Sequence, residues 1–344
     1  MSTAKAVTEE KKITRKDFMT NQAVRWCPGC GDYAVLVSVQ NALAKLEKNK
    51  DDVVFVSGIG CSSRFPYYVD TYGFHTIHGR AVAVATGVKT ANPKLDVWVI
   101  SGDGDSLSIG GNHFIHAIRR NIGLKYLVFN NEIYGLTKGQ YSPTTKQGAV
   151  TKSSPHGSLD QPFNPASLCV GAETSFYARV TDTNPKFMTE VFIEAAKHKG
   201  TAFIEILQNC VIFNNKTHEQ ITGKEFRDDN QLVLKHNEPM IFGKNKDKGI
   251  VLDKTELKVV RIGENGIKES DILKHDAHAD SPNLAFMLSR LTLPQYPIPV
   301  GIIRQVERPV YEEQLHAQIK QAKQEKKAVD LNALLNSGDT WEVD

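Results

Sequence analysis

The sequence lacks the features that would place the chain in a membrane, outside the cell or on nucleic acid. No apolar stretch reaches the ~18 residues that a membrane-spanning helix needs. The formal net charge of +3 is too small to indicate nucleic-acid binding. The first residues, MSTAKAVTEEKKITRKDF, contain acidic side chains and no apolar segment of the kind found in secretory signals. We therefore expect a cytoplasmic protein with no membrane and no nucleic-acid partner.

Other patterns that would identify a fold directly are also missing. The sequence contains no internal repeat and no low-complexity segment. No GxGxxG opens a helix after the first predicted strand, which weakens the alternative of a nucleotide-binding α/β enzyme. Hydrophobic residues make up 40% and charged residues 24% of the 344 positions, as in ordinary globular proteins. The short basic run from Lys320 to Lys327 is interpreted as a solvated helix face.

Cysteine is scarce, with five residues, but its placement is informative. A cytoplasmic chain does not use so few cysteines as a disulfide framework, because its thiols are kept reduced. Cys27 and Cys30 form a Cys-x2-Cys pair, Cys61 follows one predicted strand and Cys210 follows another. These four could hold an iron–sulfur cluster or a structural zinc, and CPGC alone is also similar to a thioredoxin motif. Cys169, in the apolar run ASLCVGA, is expected to be a buried structural thiol.

Hydrophobic periodicity predicts an α/β fold. Val35, Val39, Leu43 and Leu46 recur at helical spacing, which predicts a helix from Asp32 just beyond the CPGC turn. Two more helices are predicted at 110–121 and 186–199. Continuous apolar runs without alternation, typical of strands buried on both faces, lie at 53–57, 97–101, 126–130 and 202–207. Strands that alternate with helices indicate a mostly parallel sheet covered by helices on both faces.

The chain is divided by composition into three segments. A polar leader spans 1–25, the α/β domain spans 26–215, and a charged C-terminal extension or arm spans 216–344. Within the extension, MIFG and GIVLD predict two strands joined by KNKDK, and Ser281-Pro282 predicts the start of a helix that runs through Leu291. A last helix places Tyr311, Leu315, Ile319 and Ala322 on one stripe, which we expect to pack on the body or on another subunit.

Four loops that carry chemical groups follow four predicted strands. Ligands bind beyond the carboxyl ends of the strands in an open parallel sheet, so Cys61, Asp103, Asn131 and Cys210 should share one edge. Glycines in GDGDSLSIGG let the backbone approach a phosphate, and the following helix start supplies free N–H groups. A carboxylate beside a phosphate requires a cation between them, and Mg²⁺ prefers such oxygen ligands. An ordinary Gly/Asp turn is the alternative for GDGD taken alone.

GDG followed further on by NN resembles the thiamine diphosphate fingerprint. The segments WCPGCGD, GIGCSSR, HGRA, SGDGDSLSIGGNH and NNEIYGLTKGQ occur in this order and together resemble the β subunit of 2-oxoacid:ferredoxin oxidoreductases. The likeness covers about residues 25 to 215 and is greatest to the 2-oxoglutarate branch. It implies a three-layer α/β/α thiamine diphosphate-binding fold.

The resemblance also implies roles for individual residues. One [4Fe-4S] cluster would be ligated by Cys27, Cys30, Cys61 and Cys210. Mg²⁺ would be held by Asp103, Asn131 and the carbonyl of Ile133. The cofactor would be surrounded by Ser62, His78, Gly102, Gly104 and Asp105. The catalytic residues would be Arg64, Leu136 and Lys138, with Lys138 meeting the distal carboxylate of the substrate.

Alternatives remain for two of these residues. His78 could be a hydrogen-bonded core histidine, and Lys138 could be an ordinary surface residue. His113 and His116 lie on a predicted helix and are expected to pack or to face solvent.

The implied activity is CoA-dependent oxidative decarboxylation of 2-oxoglutarate to succinyl-CoA and CO₂, with single electrons passing through the cluster to ferredoxin. The implied partners are an α subunit of the same oxidoreductase, ferredoxin, the 2-oxoacid and coenzyme A. The same chemistry on pyruvate or another 2-oxoacid is one alternative. A non-catalytic iron–sulfur electron carrier is another, but it would leave the GDGD and NN segments without a function.

Overall fold

The structure, a computed structural model, describes residues 12–325 and 330–343. Its strands are β1 (Val53–Ser57), β2 (Tyr72–His75), β3 (Asp96–Gly102), β4 (Leu124–Asn130), β5 (Phe176–Thr181), β6 (Ala202–Leu207), β7 (Gln231–Leu234), β8 (Ile241–Phe242), β9 (Lys248–Asp253), β10 (Glu256–Arg261) and β11 (Ile298–Gln305). Its α-helices are α1 (Asp32–Lys45), α2 (Ala81–Ala91), α3 (Asp103–Leu107), α4 (Gly111–Arg120), α5 (Pro165–Gly171), α6 (Pro185–Lys197), α7 (Glu219–Thr222), α8 (Arg227–Asn230), α9 (Asn283–Ser289), α10 (Tyr311–Glu325) and α11 (Leu331–Leu335). Short 3₁₀ turns lie at Arg15–Phe18, Lys50–Asp52, Ser62–Tyr67 and Glu269–Asp271.

An eight-stranded sheet in the order β2-β1-β3-β4-β6-β5-β11-β7 organises the chain. The first six of these strands pair in parallel, as predicted, while β11 runs antiparallel to β5 and β7 joins β11 in parallel. A separate antiparallel sheet, β10-β9-β8, contains the two strands predicted in the extension. The α/β class with a mostly parallel sheet is confirmed. The division at residue 215 stays a prediction, and the segment after it contributes β7 and β11 to the main sheet.

Each central strand buries both of its faces, which explains why its sequence is apolar without alternation. In β1, Val54 and Val56 pack with α2 and α4 on one side of the sheet, whereas Val53 and Phe55 pack with α1 and α6 on the other. All five residues of β1 are buried. The predicted helix from Asp32 is α1. Three members of its predicted stripe, Val35, Val39 and Leu43, are buried in the second of these cores, whereas the fourth, Leu46, is half-buried just after the helix ends.

Four strands of the main sheet are not among the sequence predictions, namely the short edge strands β2 and β7 and the longer strands β5 and β11. The two longer strands interrupt their apolar residues with arginine, Arg179 in β5 and Arg304 in β11. Each arginine is buried and hydrogen bonded, so the tertiary structure compensates for a charge that hides the strand pattern. The sequence alone could not supply those partners.

The predicted last helix is present as α10, and the packing of its apolar stripe on another subunit stays a prediction. The stripe predicted on the last helix is largely exposed in α10, where only Glu312 is buried. Glu312 accepts hydrogen bonds from the Gly123 amide, so the helix is anchored at its first turn. Part of the run Lys320 to Lys327 and the first eleven residues of the leader lie outside the described residues. No helix in the described part of the chain has the length and apolarity needed to cross a membrane.

Candidate functional site

The loops after β1, β3, β4 and β6 meet at the carboxyl edge of the sheet, as the parallel pairing requires. A cavity of about 60 Å³, called here the diphosphate cavity, lies between the first three of these loops. Its walls include every residue that the resemblance assigns to the cofactor and to magnesium, namely Ser62, His78, Gly102, Asp103, Gly104, Asp105, Asn131 and Ile133. The sequence-predicted set is therefore brought together in one place.

Asp103 is a buried carboxylate at the wall of this cavity, 2% exposed. The Ser142 hydroxyl donates to its Oδ2 at 2.5 Å, and the Thr144 hydroxyl donates to the same oxygen at 2.6 Å. Burial raises the pKa of Asp103 to about 6, although these two hydrogen bonds oppose the shift. The carboxylate is therefore fixed in orientation, and a neighbouring cation would favour its charged form.

Asp105, two residues further on, joins three loops. Its Oδ1 accepts hydrogen bonds from the amides of Gly79, at 2.7 Å, and Ile59, at 3.3 Å. Its Oδ2 accepts a 2.5 Å hydrogen bond from the Ser101 hydroxyl. His78 Nδ1 lies 2.9 Å from Oδ1, but the orientation of the imidazole ring does not allow a hydrogen bond between the two atoms. Because protein donors occupy both oxygens, Asp105 holds the loops that form the cavity.

His78 is not a core histidine. Its side chain is 39% exposed, and its ring centroid lies 6.1 Å from that of Tyr134 across the diphosphate cavity. The alternative of a buried, structural histidine is therefore wrong. His113 and His116 lie on α4, where both are partly exposed.

The two glycines of GDG lie in different surroundings. A Cβ on Gly104 would lie 2.2 Å from Tyr134 Cε1, and the Tyr134 hydroxyl donates a 3.0 Å hydrogen bond to the Gly104 carbonyl. A Cβ on Gly102 would meet nothing closer than Ser62 Oγ at 3.8 Å. Gly104 thus allows the Tyr134 ring to pack closely, whereas Gly102 leaves the cavity open beside Ser62.

Asn131 is held by its neighbours on both sides. Its Oδ1 accepts a 3.2 Å hydrogen bond from the Ile133 amide, and its Nδ2 donates a 2.8 Å hydrogen bond to Gln208 Oε1. The Asn214 side chain donates to the Asn131 carbonyl at 2.9 Å. The loop that follows β4 is therefore tied to the loop that follows β6.

A second cavity of about 270 Å³, called here the cysteine cavity, lies next to the first. All four clustered cysteines line it, namely Cys27, Cys30, Cys61 and Cys210. A Cβ on Gly135 would lie 3.5 Å from the sulfur of Cys210 and 3.7 Å from that of Cys61, so both sulfurs lie close to the position where a side chain on Gly135 would begin. Within residues 12–325 and 330–343, no three His, Cys, Asp or Glu side chains are arranged to hold a metal ion as they stand. The four cysteines come from three separate loops and line this one cavity.

The loops that carry these cysteines are fixed by hydrogen bonds. The Trp26 indole N–H donates to the Cys61 carbonyl at 2.6 Å, which joins the CPGC turn to the loop after β1. The Gln208 amide nitrogen lies 3.4 Å from the Cys30 sulfur. Trp26 follows an irregular segment and not a strand, unlike the thioredoxin alternative. Cys169 is fully buried away from this cavity, as predicted.

The cysteine cavity is an unfavourable place for an uncompensated negative charge. Burial raises the pKa of Cys61 to about 11, and Asp32 adds to the shift. Burial also raises the pKa of Cys30 far above its usual range. Asp32, which also lines the cavity, has its pKa raised to about 7 by burial and then by Asp182. Thiolate ligands would therefore depend on a positively charged metal centre.

The three predicted catalytic residues lie at the rim of the site. Leu136 lines both the diphosphate and the cysteine cavity, whereas Arg64 and Lys138 line only the cysteine cavity. Lys138 is exposed and adopts a φ of 74°, a left-handed conformation that is uncommon for lysine. Arg64 Nη1 donates to the Arg25 carbonyl at 3.3 Å, and both arginines also border an outer groove of about 430 Å³. The rim is thus rich in cations.

Comparison with known proteins agrees with this arrangement. Residues 58–206 match the family described as thiamine pyrophosphate enzyme, C-terminal TPP binding domain. The chain is 50% identical, over 98% of its own length and 90% of the relative, to the 2-oxoglutarate oxidoreductase subunit KorB of Mycobacterium tuberculosis. The chain belongs to the 2-oxoacid:ferredoxin oxidoreductase β subunits.

Two further relatives agree with this assignment. The 2-oxoacid:ferredoxin oxidoreductase subunit beta of Saccharolobus solfataricus is 45% identical over 59% of this chain and 66% of that protein. The solved structure of 2-oxoglutarate:ferredoxin oxidoreductase from Magnetococcus marinus, with 2-oxoglutarate, coenzyme A and succinyl-CoA bound, is 31% identical. It superposes with a TM-score of 0.76 over 97% of this chain and 98% of that chain. The resemblance to the 2-oxoglutarate branch is confirmed.

Some residues that shape the site in this β subunit were missed by the sequence reasoning. Ser142 and Thr144 hold Asp103, Tyr134 packs on Gly104, and Gln208 contacts both Asn131 and Cys30. Ser142 and Thr144 belong to an irregular segment between β4 and α5, where a Ser-Pro-Thr-Thr sequence is typical of an ordinary turn. Only the folded structure brings these hydroxyls to a carboxylate after a different strand.

The two glycines give a matched test of this geometry. Gly104→Ala should lower the free energy of unfolding by about 1–3 kcal/mol, because its Cβ collides with the Tyr134 ring. Gly102→Ala should change it by less than about 0.5 kcal/mol, because the new methyl group meets only loose contacts. Denaturant titration of both variants measures the difference, with Gly87→Ala in α2 as a control that meets no neighbour. Equal losses for Gly102→Ala and Gly104→Ala would contradict the described packing.

Proposed function

We propose that this chain is the β subunit of a 2-oxoglutarate:ferredoxin oxidoreductase and that it acts with an α subunit. The reaction is the CoA-dependent oxidative decarboxylation of 2-oxoglutarate to succinyl-CoA and CO₂, with electrons leaving singly to ferredoxin. The observation that carries the proposal is the adjacency of the two cavities. Cys61, Gly135 and Leu136 line both of them, so a cofactor in one would lie next to a redox centre in the other.

The diphosphate cavity suits thiamine diphosphate with Mg²⁺. Asp103 and Asn131 offer a carboxylate and an amide oxygen, and Ile133 offers its carbonyl, which together form a donor set of the kind that Mg²⁺ prefers. Ser62 Oγ, on the same wall, is buried and has no hydrogen-bond partner. Such an orphaned hydroxyl is costly unless a ligand satisfies it. A phosphate oxygen is a suitable acceptor for it.

The cysteine cavity suits a [4Fe-4S] cluster ligated by Cys27, Cys30, Cys61 and Cys210. A zinc ion would draw four sulfurs to within about 2.3 Å of a single point. A cluster of several irons keeps its sulfur ligands further apart, and a cavity of about 270 Å³ lined by four cysteines offers room for it. The cytoplasm, where thiols remain reduced, is the compartment that such ligands favour.

Thiamine diphosphate, when bound, would supply a carbanion as nucleophile for the 2-oxo carbon and a cationic ring as sink for the electrons released with CO₂. The chain's own residues hold and enclose the reactants. Asp103 and Asn131 would fix the cation, and Leu136 would form the apolar wall between the two cavities. Arg64 and Lys138 would attract the substrate carboxylates to the rim. Lys138 would pair with the distal carboxylate that distinguishes 2-oxoglutarate from pyruvate.

The size of the diphosphate cavity supports the need for a partner. Small-molecule sites usually enclose about 300–1,000 Å³. The cavity of about 60 Å³ is far smaller and admits only part of such a cofactor. The α subunit would therefore enclose the remainder, including the aminopyrimidine ring. Ferredoxin would approach from outside to take up the electrons.

Replacement of a cluster ligand tests the redox centre. Cys210→Ser in the anaerobically purified complex should abolish the electron paramagnetic resonance signal of the reduced cluster and lower iron and sulfide content, because one thiolate ligand is lost. Cys169→Ala, which removes the buried thiol of α5, is the control and should keep the signal and the iron and sulfide content. A Cys210→Ser complex with unchanged iron, sulfide and spectrum would exclude this ligand set.

Replacement of Lys138 tests substrate selection. Lys138→Ala should lower kcat/KM for 2-oxoglutarate by about 10- to 100-fold, the effect of losing a charged hydrogen bond. The kcat/KM for pyruvate should change little, because pyruvate has no distal carboxylate. Lys152→Ala, an exposed lysine nearby that lines neither cavity, is the control. An unchanged ratio of the two kcat/KM values would show that Lys138 does not discriminate between 2-oxoglutarate and pyruvate.

A further inference from the structure

Two hydroxyl groups meet at the same oxygen of Asp103. Ser142 Oγ lies 2.5 Å and Thr144 Oγ1 lies 2.6 Å from Oδ2. All three side chains are buried, with Ser142 2%, Thr144 5% and Asp103 2% exposed. Hydrogen bonds to a carboxylate are strong in such an environment because little water competes for them. The hydroxyls therefore determine which way the carboxylate of Asp103 faces.

The segment that carries the hydroxyls is itself anchored. Thr145 Oγ1 accepts a 2.7 Å hydrogen bond from the Ser142 amide and donates a 2.6 Å hydrogen bond to the Glu132 carbonyl. Glu132 lies between Asn131 and Ile133, the other two proposed magnesium ligands. One turn therefore fixes the distance between the loop that carries Asp103 and the loop that carries Asn131.

A buried ion pair holds the far side of the turn. Asn130 Oδ1 lies 3.0 Å from Thr144 Oγ1, and Asn130 Nδ2 donates to Glu205 Oε1 at 2.8 Å. Glu205 Oε2 accepts from Arg179 Nε at 2.8 Å and from the Tyr177 hydroxyl at 2.6 Å. Burial opposes ionisation of Glu205, but Arg179 and these hydrogen bonds hold its pKa below the usual range. Asn130 is thus fixed by a charged group in the centre of the sheet.

The Thr144 hydroxyl has two possible acceptors for its hydrogen, Asp103 Oδ2 and Asn130 Oδ1. A threonine hydroxyl has one hydrogen, so Asp103 and Asn130 can only share it unequally. A charged carboxylate is the stronger acceptor, so the hydrogen points mainly to Asp103 Oδ2. Asn130 Oδ1, at 3.0 Å, is the second and weaker acceptor.

We propose that Ser142 and Thr144 are positioning residues for magnesium, because they hold Oδ2 of Asp103 and thereby present Oδ1 to the ion. This inference rests on the proposed function, in which Asp103 is a magnesium ligand. Groups that orient a metal ligand typically change metal affinity by about 10- to 100-fold when they are removed. Neither residue contacts the reacting atoms, so their effect is transmitted through Asp103.

The test is the Mg²⁺ concentration that gives half-maximal binding of thiamine diphosphate to the purified complex with its α subunit, measured by calorimetry. Thr144→Val keeps the side-chain shape but removes the hydroxyl, and should raise this concentration by about 10- to 100-fold. Thr144→Ser restores a hydroxyl and should return it toward the wild-type value. Saturating Mg²⁺ should restore thiamine diphosphate binding in Thr144→Val. Ser142→Ala removes the second hydrogen bond, and should raise the concentration even if Thr144→Val does not fold.

Thr201→Val is the matched control. Thr201 is a buried threonine whose hydroxyl donates to the Ile122 carbonyl at 2.7 Å, immediately before β6 and far from the carboxyl edge. The loss of this hydroxyl should lower the free energy of unfolding without changing the Mg²⁺ concentration that gives half-maximal binding. Thr144→Val and Ser142→Ala with the wild-type requirement would overturn the inference, as would equal defects in Thr144→Val and Thr144→Ser. A wild-type complex that binds thiamine diphosphate without any Mg²⁺ dependence would instead overturn the proposed function.

Discussion

Parallel pairing of β1, β3, β4 and β6 is the constraint on which the site depends. Parallel strands end at a common edge, so the residues that follow each strand lie close together in the folded sheet. The loop after β1 brings Cys61, the loop after β3 brings Asp103, and the loop after β6 brings Cys210. An antiparallel arrangement of the same strands would separate these groups by the length of a strand. The adjacency of the two cavities is a consequence of this topology.

Two carboxylates in one short loop have different functions because their donors differ. Asp105 is surrounded by two backbone amides and a serine hydroxyl that occupy both of its oxygens, so it joins loops. Asp103 receives two hydroxyls on a single oxygen, which leaves it able to bind a cation. Both carboxylates are buried, so the loss of any of these donors would be destabilising, since a buried carboxylate without partners is costly. Asp105 thus maintains the cavity whose wall contains Asp103.

Much of this arrangement was predictable because it depends on local apolar patterns and on the rule that ligands bind beyond the carboxyl ends of parallel strands. The apolar runs predicted β1 and β6 at their observed bounds, and the common carboxyl edge of parallel strands then placed Cys61, Asp103, Asn131 and Cys210 together. The hydroxyls of Ser142 and Thr144 were not predictable, because their partner follows a different strand and their own segment has no regular structure. The buried arginine of β5 hid that strand for a similar reason, since Glu205 on the neighbouring strand satisfies its charge.

The central claim is that four cysteine sulfurs hold an iron–sulfur cluster directly beside a magnesium-bound thiamine diphosphate. Anomalous diffraction from anaerobic crystals of the complex, recorded on both sides of the iron absorption edge, tests it most directly. We expect a strong iron signal enclosed by Cys27, Cys30, Cys61 and Cys210, with cofactor density beside Asp103 in the adjoining cavity. A zinc signal at the cysteines, or iron at any other place in the chain, would contradict it.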